Sequence, residues 1–185
     1  MKSHFAPSER TPHGVLQSEI ISVGRNPFMT GLLHSVGGLL AILDRNRQIV
    51  ALNHSFLEIL RIANPEEALG LRPGEALRCV HADKSPGGCG TTEFCSTCGA
   101  AVAIVASLGE DVPVERMCAL RTRAGDDIYL RVRSQPVDVE ETRFLLLFMQ
   151  DISVQQKRAA LERTFFHDIN NIDRKSTRLN SSNYS

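Results

Sequence analysis

Four cysteines fall within one short stretch of this chain: Cys79, Cys89, Cys95 and Cys98, in the pattern C-x9-C-x5-C-x2-C. A C-x2-C pair such as Cys95 and Cys98 can aim both sulfurs at one centre, as in zinc and iron–sulfur sites. The intervening HADKSPGGCGTTEF is Gly-rich and nearly devoid of core residues. Gly87, Gly88 and Gly90 let the backbone turn sharply around Cys89. Such a segment needs a source of order other than apolar burial, and four thiolates on one metal would supply it. A single C-x2-C does not match a zinc ribbon, but zinc and an iron–sulfur cluster both accept irregular spacing. The rival chemistry is a metal-free redox switch, with Cys95 and Cys98 as its leading pair. The plain reading, small buried residues, is weakened by the lack of other core residues nearby. The composition favours a metal over the thiol switch. Cys118 reads as strand core, and His81 as a solvated loop histidine that could at most substitute as a ligand.

The second chemical group is His167, followed by Asp168 and, one helical turn on, Asn171. Val154, Leu161, Phe165, Ile169 and Ile172 recur in steps of seven, four, four and three, the seam of an amphipathic helix that packs on another. His167 lies two residues past Phe165 and is therefore turned well away from that seam. A lone histidine there would be a solvated surface group. A helix as short as Val154–Ile172 is marginal alone, so a homodimer through residues 154–172 is expected.

Lys+Arg 21 and Asp+Glu 21 cancel, so nothing implies a nucleic-acid or membrane partner. No apolar run approaches the roughly 18 residues of a membrane span. The first residues, MKSHFAPSERTPHG, contain no apolar signal-peptide core. The chain reads as cytoplasmic, where clustered cysteines suggest metal or redox chemistry rather than structural disulfides.

The elements that must position these groups follow in order. Residues 1–25 form a disordered or helical N-terminal linker, with Met1–Gly14 expected to be disordered and a short helix or linker over Val15–Val23. Asn26-Pro27 starts a helix that ends at Gly37-Gly38. Leu39–Leu43 and Ile49–Leu52 read as a hairpin around Asp44–Arg47. Asn53 caps a helix containing Phe56, Leu57 and Leu60. Gly70–Glu75 reads as a loop. Gly99–Leu108 is a helix of small and branched residues. Val112–Arg121, Ile128–Val139 and Phe144–Met149 are strands, the last densely apolar and hence central.

This order of elements resembles a PAS domain, over about Asn26 to Ser153. LLAILDRNRQIVALNHSF (Leu39–Phe56) and Asp151-Ile152-Ser153 carry the resemblance most specifically. It implies an α+β fold, a five-stranded antiparallel sheet with flanking helices, followed by an amphipathic dimerisation helix. The last motif resembles the Asp-Ile-Thr/Ser element that couples PAS domains to an output helix, which would make Asp151 the joint; a simple helix cap would also explain it. Phe166–Asn171 resembles the phosphoacceptor box of sensor histidine kinases. That resemblance implies that His167 accepts a phosphoryl group, Asp168 orients its ring, and Asn171 positions water for dephosphorylation. Gly88–Thr91 and Phe94–Gly99 are similar to a cysteine segment of bacterial PAS histidine kinases. No haem or flavin signature is evident.

Asp173–Ser182 (DRKSTRLNSS) resembles a translated reading frame of a sequencing adapter, so residues 173–185 read as an artefactual tail. The whole then reads as the input part of a cytosolic two-component sensor histidine kinase. Residues 26–153 would sense redox state, oxygen or metal through the insert at 79–98 and control His167. ATP and Mg²⁺ would act only through a missing ATP-binding domain, so the fragment would not be active alone, and the phosphoryl group would pass to a response regulator receiver domain. The alternative is a non-enzymatic redox- or metal-binding PAS module with another output, a transcription factor or a cyclase. A stand-alone zinc protein is a third, weaker reading.

Overall fold

The structure is a computed structural model and describes residues 3–164. The chain divides into two compact units, Met1–Asp151 and Ile152–Ser185.

In the first unit, α1 (His13–Arg25) and α2 (Pro27–Ser35) lead into β1 (Leu39–Leu43) and β2 (Ile49–Leu52). Asn26 caps α2 by accepting from the Phe28 and Met29 amides, ahead of Pro27 in the first turn. The β1–β2 turn closes on Asp44, whose carboxylate accepts from the Gln48 amide at 2.7 Å. Asn53 then does three jobs at once. It caps α3 (His54–Leu60) by accepting from the Phe56 amide, accepts from the Leu40 amide of β1, and donates to the Gly38 carbonyl. α4 (Pro73–Ala76), α5 (Gly99–Glu110), β3 (Val114–Arg121), β4 (Asp127–Val139) and β5 (Thr142–Asp151) complete the unit.

The strands form one antiparallel sheet in the order β2-β1-β5-β4-β3. The apolar run FLLLFM puts β5 in the middle, where both faces are covered. Alternation along it divides two cores. Leu145, Leu147 and Met149 join Leu39, Ala41, Leu43, Phe56, Ile104, Cys118 and Leu130 on one face. Phe144 and Leu146 join Leu40, Ile42, Leu16, Val23 and Met29 on the other.

Residues 1–14, expected as disordered, are held in place from residue 3 onward. The His4 and Ala6 amides donate to the carbonyls of Thr91 and Gly90. The Thr11 hydroxyl donates to the buried Asp44 carboxylate at 2.5 Å, and its amide to the Gln48 side chain at 2.6 Å. These polar residues stay ordered because their partners are fixed acceptors in loops distant in sequence. The Gly70–Glu75 loop contains α4, started by Pro73 and closed by Glu75, which accepts from the Arg72 amide at 2.9 Å.

In the second unit, residues 153–164 are helical. Val154 and Leu161 are 77% and 72% exposed, so this part of the apolar seam is open to solvent in the single chain. No helix among the described residues is long and apolar enough to cross a membrane.

Candidate functional site

All five cysteines line one cavity of about 540 Å³. Leu120 of β3, Leu130 of β4 and Met149 of β5 form its sheet side, while Pro73, Gly74, Leu77, Ala100 and Ala101 come from the helices over it. Gly74, Ala100 and Ala101 are small and leave space beside the larger Pro73 and Leu77.

Cys98 is the N-cap residue of α5. The next residue, Gly99, sits so close to β3 that a methyl group there would run into the Met117 carbonyl. That contact lays the start of α5 directly on β3 and brings Cys98 Sγ within 3.7 Å of Cys118 Sγ. The two thiols are shifted in opposite directions. Cys98 is shifted down, first by the hydrogen bond from Cys118 and further by the Ala101 and Ala100 amides at the helix start, against the opposing effect of burial. Cys118 is shifted up, first by the same hydrogen bond and then by burial. Cys118, expected to be plain strand core, is therefore the partner of a cap thiol. Its distance of 20 residues from Cys98 hid this in the sequence.

The other thiols are held differently. Cys95, in a 3₁₀ turn at Glu93–Ser96, accepts from the Gly90 amide at 3.2 Å and lies 3.1 Å from the Thr92 hydroxyl. Cys89 packs against Gly74, where a Cβ would stand 2.6 Å from its sulfur, and burial pushes its thiol up to about 12. The Cys79 backbone forms an antiparallel β-bridge with Thr122, and burial shifts its thiol up as well. His81 stacks on Phe94 with ring centroids 4.2 Å apart, and Lys84 sits 4.4 Å over the same ring. The His81 Nδ1 atom is buried with no hydrogen-bond partner among the described residues.

Order in the cysteine loop has a source that the composition did not reveal. Arg72 is fully buried, and its guanidinium donates to the carbonyls of Gly87 (2.7 Å), Cys89 (3.2 Å), Glu9 (2.7 Å) and Asn46 (3.1 Å). Burial lowers it to about 10, so it remains charged at pH 7. Glu75 supplies the counter-charge, accepting from the Cys89 amide at 3.2 Å and pairing with Arg10. Gly88 adopts φ 78° beside this carboxylate, with no room for a side chain. A buried arginine thus ties the cysteine loop to the N-terminal segment and to the β1–β2 turn. Arg72-Pro73-x-Glu75, a proline at the first helical position with an acid two residues on, signals the start of α4 but not the burial of Arg72.

As they stand, no three His, Cys, Asp or Glu side chains among the described residues are gathered to hold a metal ion. Cys79, Cys89, Cys95 and Cys98 share the cavity, but the sulfurs of Cys95 and Cys98 are engaged elsewhere. Asp151 is the last residue of β5, opposite Leu130 of β4, where the first unit ends. His167, Asp168 and Asn171 lie outside the described residues, as do the seam positions from Phe165 onward and residues 173–185.

A five-stranded antiparallel sheet in the order β2-β1-β5-β4-β3, with α3 to α5 inserted between its second and third strands, is the PAS fold, a fold of signal-sensing domains. Solved structures similar to it include a PAS domain from a two-component sensor histidine kinase, at 12% identity over 67% of this chain and 93% of that one, with TM-score 0.45. The PAS domain of an HTR-like protein from Haloarcula marismortui matches at 15% identity over 76% of this chain and all of that one, TM-score 0.47. The PAS domain of nitrogen regulation protein NR(II) from Vibrio parahaemolyticus matches at 14% identity over 69% of this chain and all of that one, TM-score 0.47. No protein-family model and no curated protein matches the chain.

Proposed function

We propose that the chain is the input part of a two-component sensor histidine kinase, with the thiol-lined cavity as its receptor for a redox signal. The observation that carries this reading is the gathering of five free thiols on one cavity between the sheet and α5 of a PAS fold. A change in their state alters how α5 rests on β3. β5 runs without interruption to Asp151, and the chain continues into the helix at residues 153–164 and on to His167. The exposed Val154 and Leu161 support pairing of that helix with a second copy, which would present His167, Asp168 and Asn171 to an ATP-binding domain and then to a receiver domain.

A second reading places zinc or an iron–sulfur cluster at Cys79, Cys89, Cys95 and Cys98. It is favoured by the partnerless, buried Nδ1 of His81 on the same cavity, a nitrogen of the type that ligates metals. It requires the sulfurs of Cys95 and Cys98 to leave their present partners.

The test uses the full chain purified without oxygen. Iron, zinc, sulfide and free thiols are measured first. A sensor kinase that supplies the ATP-binding domain in trans then phosphorylates the reduced and the oxidised chain. Acid-labile phosphate on the wild type, absent from His167→Gln and changed by oxidation, is the expected result. No phosphate on residue 167 in either state overturns the kinase reading and leaves the redox or metal-binding PAS module with another output. Stoichiometric metal together with blocked thiols replaces the thiol receptor by the metal centre.

A further inference from the structure

We propose that Cys98 and Cys118 are a peroxide-oxidised thiol pair, closing to a reversible disulfide that ties the start of α5 to β3. This rests on the reading of the cavity as a redox input, and it names the pair and the class of oxidant, a hydroperoxide. Three features of the geometry converge on it. The two sulfurs are 3.7 Å apart and already in contact. The elements that carry them are pressed together at Gly99, so the approach is built into the backbone packing. Both residues line the cavity, which provides the route for a small oxidant. Cys95, the sequence's leading partner for Cys98, has its sulfur held by the Gly90 amide and the Thr92 hydroxyl instead.

The chemistry balances in two steps. The Cys98 sulfur attacks one oxygen of hydrogen peroxide. An S–O bond forms, the O–O bond breaks, and the other oxygen leaves as water with the thiol proton, giving a sulfenic acid. The Cys118 sulfur then attacks the Cys98 sulfur. The S–S bond forms, the S–O bond breaks, and the hydroxyl leaves as a second water with the Cys118 proton. Two thiols have lost two electrons and two protons, and the peroxide has gained both. Closing the sulfurs from 3.7 Å to the roughly 2 Å of a disulfide locks both side chains, and with them the start of α5 onto β3. β3 is an edge strand of the sheet, so a small adjustment of its backbone disturbs only one ladder within the sheet. Thiols regenerate the pair by exchange.

The experiment treats the reduced, chelator-washed full chain with one equivalent of hydrogen peroxide and maps its disulfides without reductant. Trypsin cuts after Arg116 and Arg121 and isolates Cys118 in a five-residue peptide, whose partner is assigned by fragmentation. The expected product is the Cys98–Cys118 link, reversed by dithiothreitol. In Cys118→Ser, dimedone should trap a sulfenic acid at Cys98. In Cys98→Ser, the first thiol should be lost about fivefold more slowly or worse. A dominant link between any other cysteines, or dimedone labelling of Cys118→Ser elsewhere than Cys98, overturns the pair. The wild-type map alone decides if a variant fails to fold. Phosphate on His167 separates this inference from the reading beneath it. If the link forms and phosphorylation does not respond, the pair stands and the input reading falls. If phosphorylation of Cys98→Ser still responds to peroxide, the input reading stands through another thiol, and a wild-type map without the Cys98–Cys118 link overturns the pair.

Discussion

On one face of the sheet, α1 and α2 lay Leu16, Val23 and Met29 over Leu40, Ile42, Val50, Phe144 and Leu146. On the other, α5 lays Ala100, Ile104 and Leu108 against the core that holds Leu130, Leu147 and Cys118. The first face is built of large aliphatic and aromatic side chains, and its buried core contains no thiol. The second is covered more unevenly: Gly74, Ala100 and Ala101 stand beside the larger Leu77 and Phe94, a cavity of about 540 Å³ remains, and every cysteine of the chain lines it. Both faces use the same central strand, so the difference lies in what covers them. Large side chains close a face and stabilise it. Small ones let helix and strand backbones approach, and the space and sulfurs left between them are what can respond to a chemical signal.

The contrast can be broken most strongly from the closed face. Phe144 is fully buried, and Phe144→Ala should cost about 4 kcal/mol, read as a lower urea midpoint. At low denaturant the folded fraction should keep its Cys98–Cys118 contact, because that face carries none of the thiols. Next comes the strut of the open face. Arg72→Leu removes the donor for four backbone carbonyls and should cost about 3 kcal/mol, since acceptors are left unpaired in a buried site. Alkylation followed by mass spectrometry should show Cys89 and Cys95 becoming accessible well before global unfolding. A stable variant with both thiols still protected would mean that something else orders the loop.

Gly99→Ala should act on the junction itself. The new methyl group meets the Met117 carbonyl, backbone that cannot swing aside, and the start of α5 must lift. A loss of about 2 kcal/mol is expected, as for overpacking. The more telling readout is the Cys98–Cys118 link, which should no longer form with peroxide. The smallest effect is one of pH. Cys98 is shifted down, so its thiolate persists below the ordinary thiol range; Cys79 and Cys89 are shifted up and stay protonated at neutral pH. In metal-free protein at pH 7, iodoacetamide should label Cys98 about fivefold faster than either, the gain in thiolate being partly offset by its lower nucleophilicity. The advantage should fade as pH falls and Cys98 takes up its proton. Equal rates for all three would remove the electrostatic distinction between the sulfurs.

The sheet was legible because its signals are local. The apolar run of β5, the Asp44 turn between β1 and β2, and the caps at Asn26 and Asn53 each depend on residues a few positions apart, and alternation then assigns every strand residue to a face. Clustering of Cys79, Cys89, Cys95 and Cys98 was equally plain. Tertiary structure alone decided which sulfurs meet. Cys118 reaches Cys98 because Gly99 lets α5 rest on β3, a contact between elements whose mutual approach no spacing encodes. It alone buried Arg72 and drew the polar residues 3–11 onto the cysteine loop. A charged or hydroxyl side chain reads as solvated until the fold produces buried carbonyls and carboxylates that need a donor, and those acceptors exist only once distant loops have come together.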